Sequence, residues 1–259
     1  MNNFLVYIKK EFLQMSRSGR YMGIATLFAV FAVFSPALAR YGEHILHFLV
    51  GEITQGGLLS FLAQTEWRLG YVYFYQATAF LGVLVCKLVF CGIISHEKAD
   101  STIYLAIIRG FRGVPFALMK FASILLAVLP IFFIAKIVVF LHIFAQFQSS
   151  GNFIDIILSA LIFSAYIILI CAIIIFASAI TKSSTLSAVC SISIWGLLLF
   201  ASSLPAFAGH LPPTLIYSSI ALATGESIAT YSLLWPLLLC GIFSAILVVG
   251  GGLILETKN

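Results

Sequence analysis

The sequence predicts an all-α membrane protein with six transmembrane helices, and three observations support this fold class. Hydrophobic residues make up 62% of the 259 residues, charged residues make up 9%, and the mean hydropathy is +1.13. Six apolar runs are each long enough to cross about 30 Å of hydrocarbon, which takes about 20 helical residues. The runs are apolar on every face, whereas the strands of a membrane β-barrel alternate in polarity. We therefore expect residues 1–259 to form a single transmembrane domain.

The six spans are expected at about 21–39, 71–95, 117–147, 153–180, 186–206 and 231–255. Short loops that are rich in Lys and Arg stay in the cytoplasm, so these residues orient the spans. With a cytoplasmic N-terminus, ten Lys and Arg residues fall inside, two fall outside and two lie within spans. Both termini are therefore predicted to be cytoplasmic. The net charge of +5 then reflects topology and contact with anionic lipid rather than binding to nucleic acid.

Residues 1–20 are predicted to form an amphipathic helix that lies on the inner surface of the membrane. At about 100° per residue, Phe4, Ile8 and Phe12 share one face of this helix. The opposite face holds its basic residues: Lys9, Lys10, Arg17 and Arg20. This pattern is typical of interfacial helices and differs from a cleaved signal peptide, which has an uninterrupted apolar core.

Residues 96–116 gather charged and aliphatic side chains between the second and third spans. Glu97 and Asp100 fall where a helical turn would begin, which suits the positive end of a helix dipole, and Arg109 falls toward its end. Pro115 suits the first turn of the next helix. The aliphatic stretch within residues 96–116 is too short to cross the bilayer, but it holds more aliphatic side chains than a solvated loop would. We therefore expect a compact cytoplasmic helix that seats in a groove of another protein.

The two long outer connections are predicted to differ in structure. Three prolines exclude one continuous helix in or beside residues 207–230: Pro205, Pro212 and Pro213. Short re-entrant or interfacial turns are expected there. In the other connection, at about 40–70, apolar spacing from Ile45 to Ile53 predicts a short interfacial helix. The same connection holds a weak candidate metal set, without a zinc-protease motif: Glu43, His44 and His47.

Few ionisable residues fall within or beside the predicted spans, and intramembrane ionisable residues are functional candidates by default. They are Lys87, Lys136, His142 and Asp155. Lys136 and His142 are the candidates for a substrate pathway, and snorkelling or a buried hydrogen bond is the alternative for both lysines. The nucleotide-binding patterns Gly-x-x-x-x-Gly-Lys-Ser/Thr and Gly-x-Gly-x-x-Gly are both absent from the sequence. The chain is therefore not expected to be an enzyme or to bind a cofactor or metal itself.

The segment after the second span resembles the intracellular loop of ABC-2 type permeases, in particular the short bacterial subunits with six spans. The residues that match this pattern are Ile94-Ser95-x-Glu97-Lys98, Thr102-Ile103-x-Leu105, Arg109-Gly110, Arg112 and Lys120-Phe121. Near the N-terminus, Lys9-Lys10-Glu11-Phe12 resembles the amphipathic connecting helix of the same family. Six spans, inside termini and a broken fifth outer connection extend the resemblance over essentially the whole chain.

The resemblance implies the membrane subunit of an ATP-binding cassette exporter with a type V exporter-like architecture, in the inner membrane of a bacterium. Two such subunits, identical or homologous, would enclose a pathway for a lipid, hydrophobic peptide or antibiotic. Two separate ATP-binding subunits would bind ATP and Mg²⁺ and dock below. Residues 96–116 would then be the cytoplasmic coupling loop, with the coupling helix region from Glu97 to Arg112. Five residues would contact the ATP-binding subunit: Glu97, Lys98, Asp100, Arg109 and Arg112.

Two other functions stay open from the sequence alone. An ion-coupled secondary transporter or channel would use Lys136 and His142 as titrating groups and would need no nucleotidase. An intramembrane enzyme would require His44 and His47 to bind a metal. Co-purification of a stoichiometric ATPase would separate the exporter from the first of these.

Overall fold

The structure, a computed structural model, describes residues 10–11, 13–14, 17–50, 66–100, 112–207, 209–226 and 230–257. The side chains of residues 43–50, 230–232 and 257 lie outside that description. All regular secondary structure in the described ranges is helical. The helices are α1 Arg20–Val50, α2 Trp67–Ala77, α3 Val83–Phe90, α4 Ser95–Ala99, α5 Gly113–Phe147, α6 Phe153–Ile180, α7 Ser184–Ser203, α8 Thr214–Ala223 and α9 Thr230–Thr257. A π-helical turn, Thr78–Gly82, joins α2 to α3.

Six stretches of these helices are long and apolar enough to cross a membrane, which confirms the predicted number. They are numbered here as the first to sixth spans: Arg20–Gly42, Trp67–Ala99, Gly113–Phe147, Phe153–Ile180, Ser184–Ser203 and Leu233–Glu256. Each boundary lies within four residues of its predicted position. The number of spans is predictable because a membrane-spanning helix needs an uninterrupted apolar run of sufficient length.

Polar caps explain where the fourth and fifth spans begin. The side chain of Asn152 accepts a hydrogen bond from the backbone N–H of Ile154 at 3.2 Å, and α6 begins at the next residue, Phe153. Ser183 accepts from the N–H of Leu186 at 3.2 Å in the same way at the start of α7. Such caps satisfy backbone donors that have no partner inside the helix.

The fourth span lies at the centre of the bundle. In its most apolar stretch 72% of the residues are buried, against 22% in the fifth span and 28% in the sixth. The third, fifth and sixth spans and α8 all pack against it. The first span packs against the second and third. The outer faces of the fifth and sixth spans are thus open to lipid or to another protein.

The third and sixth spans approach closely where the third begins and the sixth ends. A Cβ atom on Gly252 would lie 2.5 Å from Val114 Cα, and one on Gly113 would lie 2.3 Å from the Gly252 carbonyl oxygen. These distances are too short for any side chain. The two glycines therefore allow backbone contact between the spans, as small residues do in membrane bundles.

The structure corrects one outer connection and refines the other. Helix α1 continues through Val50, so the helix expected from Ile45 begins as a continuation of the first span and not as a separate helix. The apolar helical spacing runs on from the first span without a proline, and Gly42 alone does not end a helix. In the other connection α8 is a short helix that starts after Pro213 and packs on the fourth span. The broken connection predicted for 207–230 thus contains one short buried helix.

Candidate functional site

A buried ammonium group binds two carboxylates at the end of the bundle where α1 begins. Lys120 Nζ lies 2.8 Å from Glu11 Oε2 and 2.5 Å from Glu97 Oε1. Lys120 is 1% exposed, Glu11 is 3% exposed and Glu97 is half-buried. Charge-assisted hydrogen bonds of this kind are among the strongest in a protein interior. This Lys120 triad joins the N-terminal helical segment, α4 and the start of the third span.

Glu97 is held in place because α4 is fixed to the end of the fourth span. The hydroxyl oxygen of Ser178 accepts hydrogen bonds from the backbone N–H groups of Ile94 and Ser95, both at 2.9 Å. Lys98 Nζ donates to the carbonyl oxygen of Ala179. Ser178 is completely buried. The segment that carries Glu97 is therefore bonded to the third span through Lys120 and to the fourth through Ser178 and Ala179.

Glu11 reaches Lys120 from a helical segment that ends just before α1. The backbone N–H of Ser18 donates to the Gln14 carbonyl oxygen at 3.0 Å, and Gly19 has a φ of 73°. A left-handed glycine of this kind commonly ends a helix. Glu11 Oε1, the carboxylate oxygen that does not bind Lys120, is buried and has no hydrogen-bond partner among the described residues. An acceptor in this state is a rare feature of a folded protein.

A polar cavity lies beside the Lys120 triad and has a volume of about 270 Å³. All three triad residues line it. Its other charged or ionisable lining residues are Arg20, His96 and Asp100, and Gln14 and Ser18 add polar side chains. The cavity therefore brings together the N-terminal segment, the turn before α4 and α4 itself.

A second buried lysine lies among aromatic rings in the third span. Lys136 is 3% exposed, and its Nζ lies 4.0 Å from the ring centroid of Tyr75, 4.3 Å from that of Tyr71 and 5.7 Å from that of Phe74. These three rings are named the aromatic cage. The Nζ has no hydrogen-bond partner in the described part of the chain. Contacts with aromatic rings thus form the surroundings of the Lys136 amine.

Hydrogen bonds from the tyrosine hydroxyls fix the aromatic cage. Tyr71 donates to the Ser150 carbonyl oxygen at 3.1 Å. The hydroxyl of Ser159 donates to the Ile156 carbonyl at 2.7 Å, so its single proton is used and Tyr75 is the donor in the 2.8 Å contact between Tyr75 and Ser159. The two tyrosine rings are therefore held by hydrogen bonds that do not involve Lys136.

A third buried lysine, Lys87, lies in the second span and bonds to the fifth. It is 0% exposed, and its Nζ donates to the Ser191 carbonyl oxygen at 2.8 Å and lies 5.5 Å from the Trp195 ring centroid. Trp195 Nε1 in turn donates to the Tyr166 hydroxyl at 2.7 Å. The alternative predicted for this lysine, a buried hydrogen bond, is the arrangement observed.

The structure brings together only some of the residues that the sequence marks as candidates. Glu97 binds Lys120 and Lys98 binds the end of the fourth span, while Asp100 and Arg112 are exposed. Near the N-terminus, Lys10 and Arg17 are exposed and Arg20 is half-buried. Two further candidates, Lys9 and Arg109, lie outside the described residues.

The two pathway candidates of the third span do not form one site. His142 Nε2 lies 2.8 Å from Gln146 Nε2, one helical turn along the same helix. Lys136 and His142 are six residues apart on a continuous helix, so they point in different directions. Glu43, His44 and His47 fall in the part of α1 whose side chains are not described. Within the described residues, no group of three His, Cys, Asp or Glu could hold a metal ion.

Sequence reasoning missed Glu11 and Lys120 as site residues. Lys120 is a charged residue within the third span, and Glu11 is the acidic residue in a basic segment. Glu11 and Lys120 are 109 residues apart in the sequence, so the sequence alone does not show that their side chains meet. The cage residues Tyr71, Phe74 and Tyr75 have the i, i+3, i+4 spacing of one helical face, which was a usable signal. No protein-family model, curated protein or solved structure matches this chain.

Proposed function

We propose that this chain is the membrane-spanning permease subunit of an ATP-binding cassette exporter. In this proposal a separate subunit hydrolyses ATP, and the segment that includes α4 transmits the resulting movement to the spans. The resemblance of residues 94–121 to ABC-2 type permeases and the six apolar spans support the proposal. ATP and Mg²⁺ would be bound by two copies of the partner subunit.

The observation that carries the proposal is the Lys120 triad. Glu97 lies in the segment that resembles a coupling helix, and its carboxylate binds an ammonium group at the start of the third span. The same ammonium group binds Glu11 of the N-terminal segment. A force applied to the Glu97 segment would therefore act on both elements at once. A solvated loop would have no such bonds to transmit a force.

The bonds that fix α4 to a second span also support the proposal. Through Ser178 and Ala179 the segment is also bonded to the central fourth span. Because the segment is bonded to two spans, it cannot shift without strain in the packed bundle. A movement of the segment would therefore be transmitted to both spans. Asp100 and Arg112 are exposed and would contact the ATP-binding subunit directly.

A second permease subunit, identical or homologous, would cover the open faces of the fifth or sixth span. Large apolar side chains are exposed there, including Leu197 and Phe200 on the fifth span and Leu238 and Ile246 on the sixth. Apolar surfaces of this kind suit a lipid, a hydrophobic peptide or an antibiotic as substrate. Lipid would cover whatever surface the second subunit leaves open.

Purification of the tagged chain from its native membrane tests the proposal. We expect a stoichiometric partner with a nucleotide-binding motif. In the purified complex, Glu97→Gln should reduce the stimulation of ATP hydrolysis by the permease about tenfold. The reason is that the substitution removes the charge-assisted bond between Glu97 and Lys120. The control is Glu226→Gln, which removes an exposed carboxylate away from α4. Absence of an ATPase from an active preparation would overturn the proposal.

The ion-coupled alternative rests on Lys136, whose buried Nζ has no hydrogen-bond partner among the described residues. It predicts transport that follows an ion gradient and persists without any nucleotide. His142 gives it little support, because it pairs with Gln146 and points away from Lys136. The same purification separates the two functions.

A further inference from the structure

The second span contains a π-helical turn, Thr78–Gly82, that no proline explains. The backbone N–H of Val83 donates to the Thr78 carbonyl oxygen, five residues earlier, and the chain is α-helical on both sides of the turn. The sequence of this span has no proline. A π-helical turn holds about one residue more than an α-helical turn, and such turns are frequent at functional sites. The turn therefore places one extra residue inside the span.

The packing around this turn is incomplete. The Thr78 hydroxyl is buried and has no hydrogen-bond partner among the described residues. A small apolar cavity of about 10 Å³ lies against Thr78, Gly82 and Val83. Protein interiors are normally filled without such gaps, and buried hydroxyl groups are normally bonded. The surroundings therefore do little to hold the π-helical form.

The helices on the two sides of the turn are attached to different spans. Lys87 of α3 donates to the Ser191 carbonyl oxygen of the fifth span at 2.8 Å. Helix α2 carries the aromatic cage, which surrounds the Nζ of Lys136 in the third span. The turn is thus the point at which α2 can rotate while α3 stays in place.

A second register of α2 follows from helix geometry. If the turn became α-helical while α3 stayed fixed, α2 would rotate by about 100° and move by about 1.5 Å along its axis. Each residue of α2 would then take the position of the residue before it. Gln76 would replace Tyr75 beside Lys136, and Ala77 would replace Gln76 on the exposed face of the helix. The change thus exchanges an aromatic ring for an amide beside the Lys136 amine.

Both side chains in this exchange have unmet hydrogen-bonding capacity in the present register. Gln76 is exposed within a membrane span, and the buried Nζ of Lys136 has no hydrogen-bond partner in the described part of the chain. An amide oxygen accepts hydrogen bonds from an amine, so the second register would pair the two. It would also break the hydroxyl bonds of Tyr71 and Tyr75. Because hydrogen bonds are gained and lost together, the two registers are close in free energy.

We propose that Thr78–Gly82 is a hinge by which α2 switches between two registers, with either the aromatic cage or Gln76 beside Lys136. A packed bundle favours two discrete arrangements of this kind over a continuous deformation. The hinge needs only this chain, so it does not rest on the exporter function and can fail independently of it.

The switch would also move the first span. Tyr71 would take the position of Gly70, where a Cβ atom alone would lie 2.9 Å from Ile143 Cδ1 and 3.5 Å from Pro36 Cα. A tyrosine ring does not fit into that space. The first and third spans would therefore separate from α2 at the end of the bundle where α2 begins.

Fluorine NMR of the full chain in phosphatidylcholine nanodiscs tests the hinge. Labelling with 5-fluorotryptophan places a probe on α2 at Trp67, one against Phe80 of the turn at Trp195, and a reference in the sixth span at Trp235. The variant Trp67→Phe assigns the resonance of the probe on α2. We expect two resonances from Trp67, one for each register, and a single resonance from Trp235.

Two substitutions assign the second resonance to the new register. Tyr75→Phe removes the bond to Ser159 that holds the present register, so the second resonance should grow about tenfold relative to the first. Gln76→Leu removes the acceptor for Lys136, so the second resonance should shrink about tenfold. Tyr73→Phe is the matched control, because it removes a hydroxyl of α2 outside the aromatic cage and should leave the ratio unchanged.

Deletion of Leu81, an exposed residue of the turn, removes the extra residue itself. A regular helix would then keep the aromatic cage at Lys136, and only the first Trp67 resonance should remain. A single Trp67 resonance in both the wild type and Tyr75→Phe, or a second one that survives the deletion, would overturn the hinge. A second resonance that Gln76→Leu leaves unchanged would refute the pairing of Gln76 with Lys136.

Discussion

Lys136 Nζ lies 4.0 Å from the centroid of the Tyr75 ring, within a membrane span of an apolar bundle. The contact is one of three with the aromatic cage, and no described group accepts a hydrogen bond from this ammonium. Each cation–π contact contributes about 0.5–2 kcal/mol. Removing an ammonium from water costs several kcal/mol. The three contacts together and this cost are of similar size, so Lys136 contributes little net stability to the fold.

Lys136→Met is expected to leave the thermal midpoint unchanged or to raise it. Methionine fills a similar volume without the desolvation cost, and such replacements are often neutral or stabilising by about 1–4 kcal/mol. Lys136→Glu is the contrasting variant and should lower the midpoint sharply, because a carboxylate faces the negative faces of the rings. Thermal unfolding in nanodiscs measures both. A clear loss of stability in Lys136→Met would contradict the absence of an ionic partner.

Lys120→Met should have the opposite effect, although Lys120 is equally buried. It removes the partner of two carboxylates, and breaking a buried ion pair from one side costs about 3–5 kcal/mol. Adding Glu11→Gln to Lys120→Met should restore part of the loss, since one stranded charge is then neutralised. The thermal midpoints of the single and double variants form a mutant cycle that reports this coupling. Additive losses would show that Glu11 and Lys120 do not interact.

Thr78→Val is expected to stabilise the π-helical turn. Thr78 is 1% exposed, and its hydroxyl has no hydrogen-bond partner among the described residues. Valine has nearly the same shape and removes the unsatisfied group, so we expect a gain of about 1 kcal/mol. Thr181→Val is the matched control, because the hydroxyl of Thr181 donates to the Ala177 carbonyl at 2.8 Å. It should lose stability in the same thermal measurement, and equal shifts in both variants would contradict the prediction.

The sequence is sufficient to predict the spans and their ends because both depend on local chemistry. The uninterrupted apolar run from Phe153 to Ile180 defines the central span, and Asn152 and Ser183 cap the helices that begin beside them. These features need no knowledge of the neighbouring helices. The helix expected from Glu97 toward Arg109 falls largely outside the described residues, and α4, Ser95–Ala99, ends before Asp100.

The contacts of the candidate site depend on tertiary packing and could not be predicted in this way. The bond between the Glu97 carboxylate and Lys120 was not predicted, because the rotation of α4 is set by its bonds to Ser178. The depth of Lys136 was predictable from its position in the third span. Its contact with the ring of Tyr75 was not, since the register between two spans follows from packing.

Gly252→Ala should separate the third and sixth spans. The added Cβ would lie 2.5 Å from Val114 Cα, a backbone atom that cannot move without shifting the whole helix. We expect a loss of at least about 1–3 kcal/mol from overpacking. Gly241→Ala lies in the same helix and has no described atom within 4 Å of its added Cβ, so it should be neutral or slightly stabilising. Thermal midpoints that fall equally in both variants would contradict the close approach of the two spans.

Gly151→Ala should destabilise the connection between the third and fourth spans for two separable reasons. Gly151 has a φ of 77°, where a Cβ atom costs about 1–2 kcal/mol, and the added Cβ would lie 2.9 Å from Trp67 Cη2. Gly225→Ala isolates the first cost, because its φ is 84° and no described atom lies within 4 Å of its added Cβ. Gly151→Ala should therefore lower the thermal midpoint more than Gly225→Ala and should shift the fluorescence of Trp67. Equal losses with unchanged fluorescence would mean that Trp67 does not pack against Gly151.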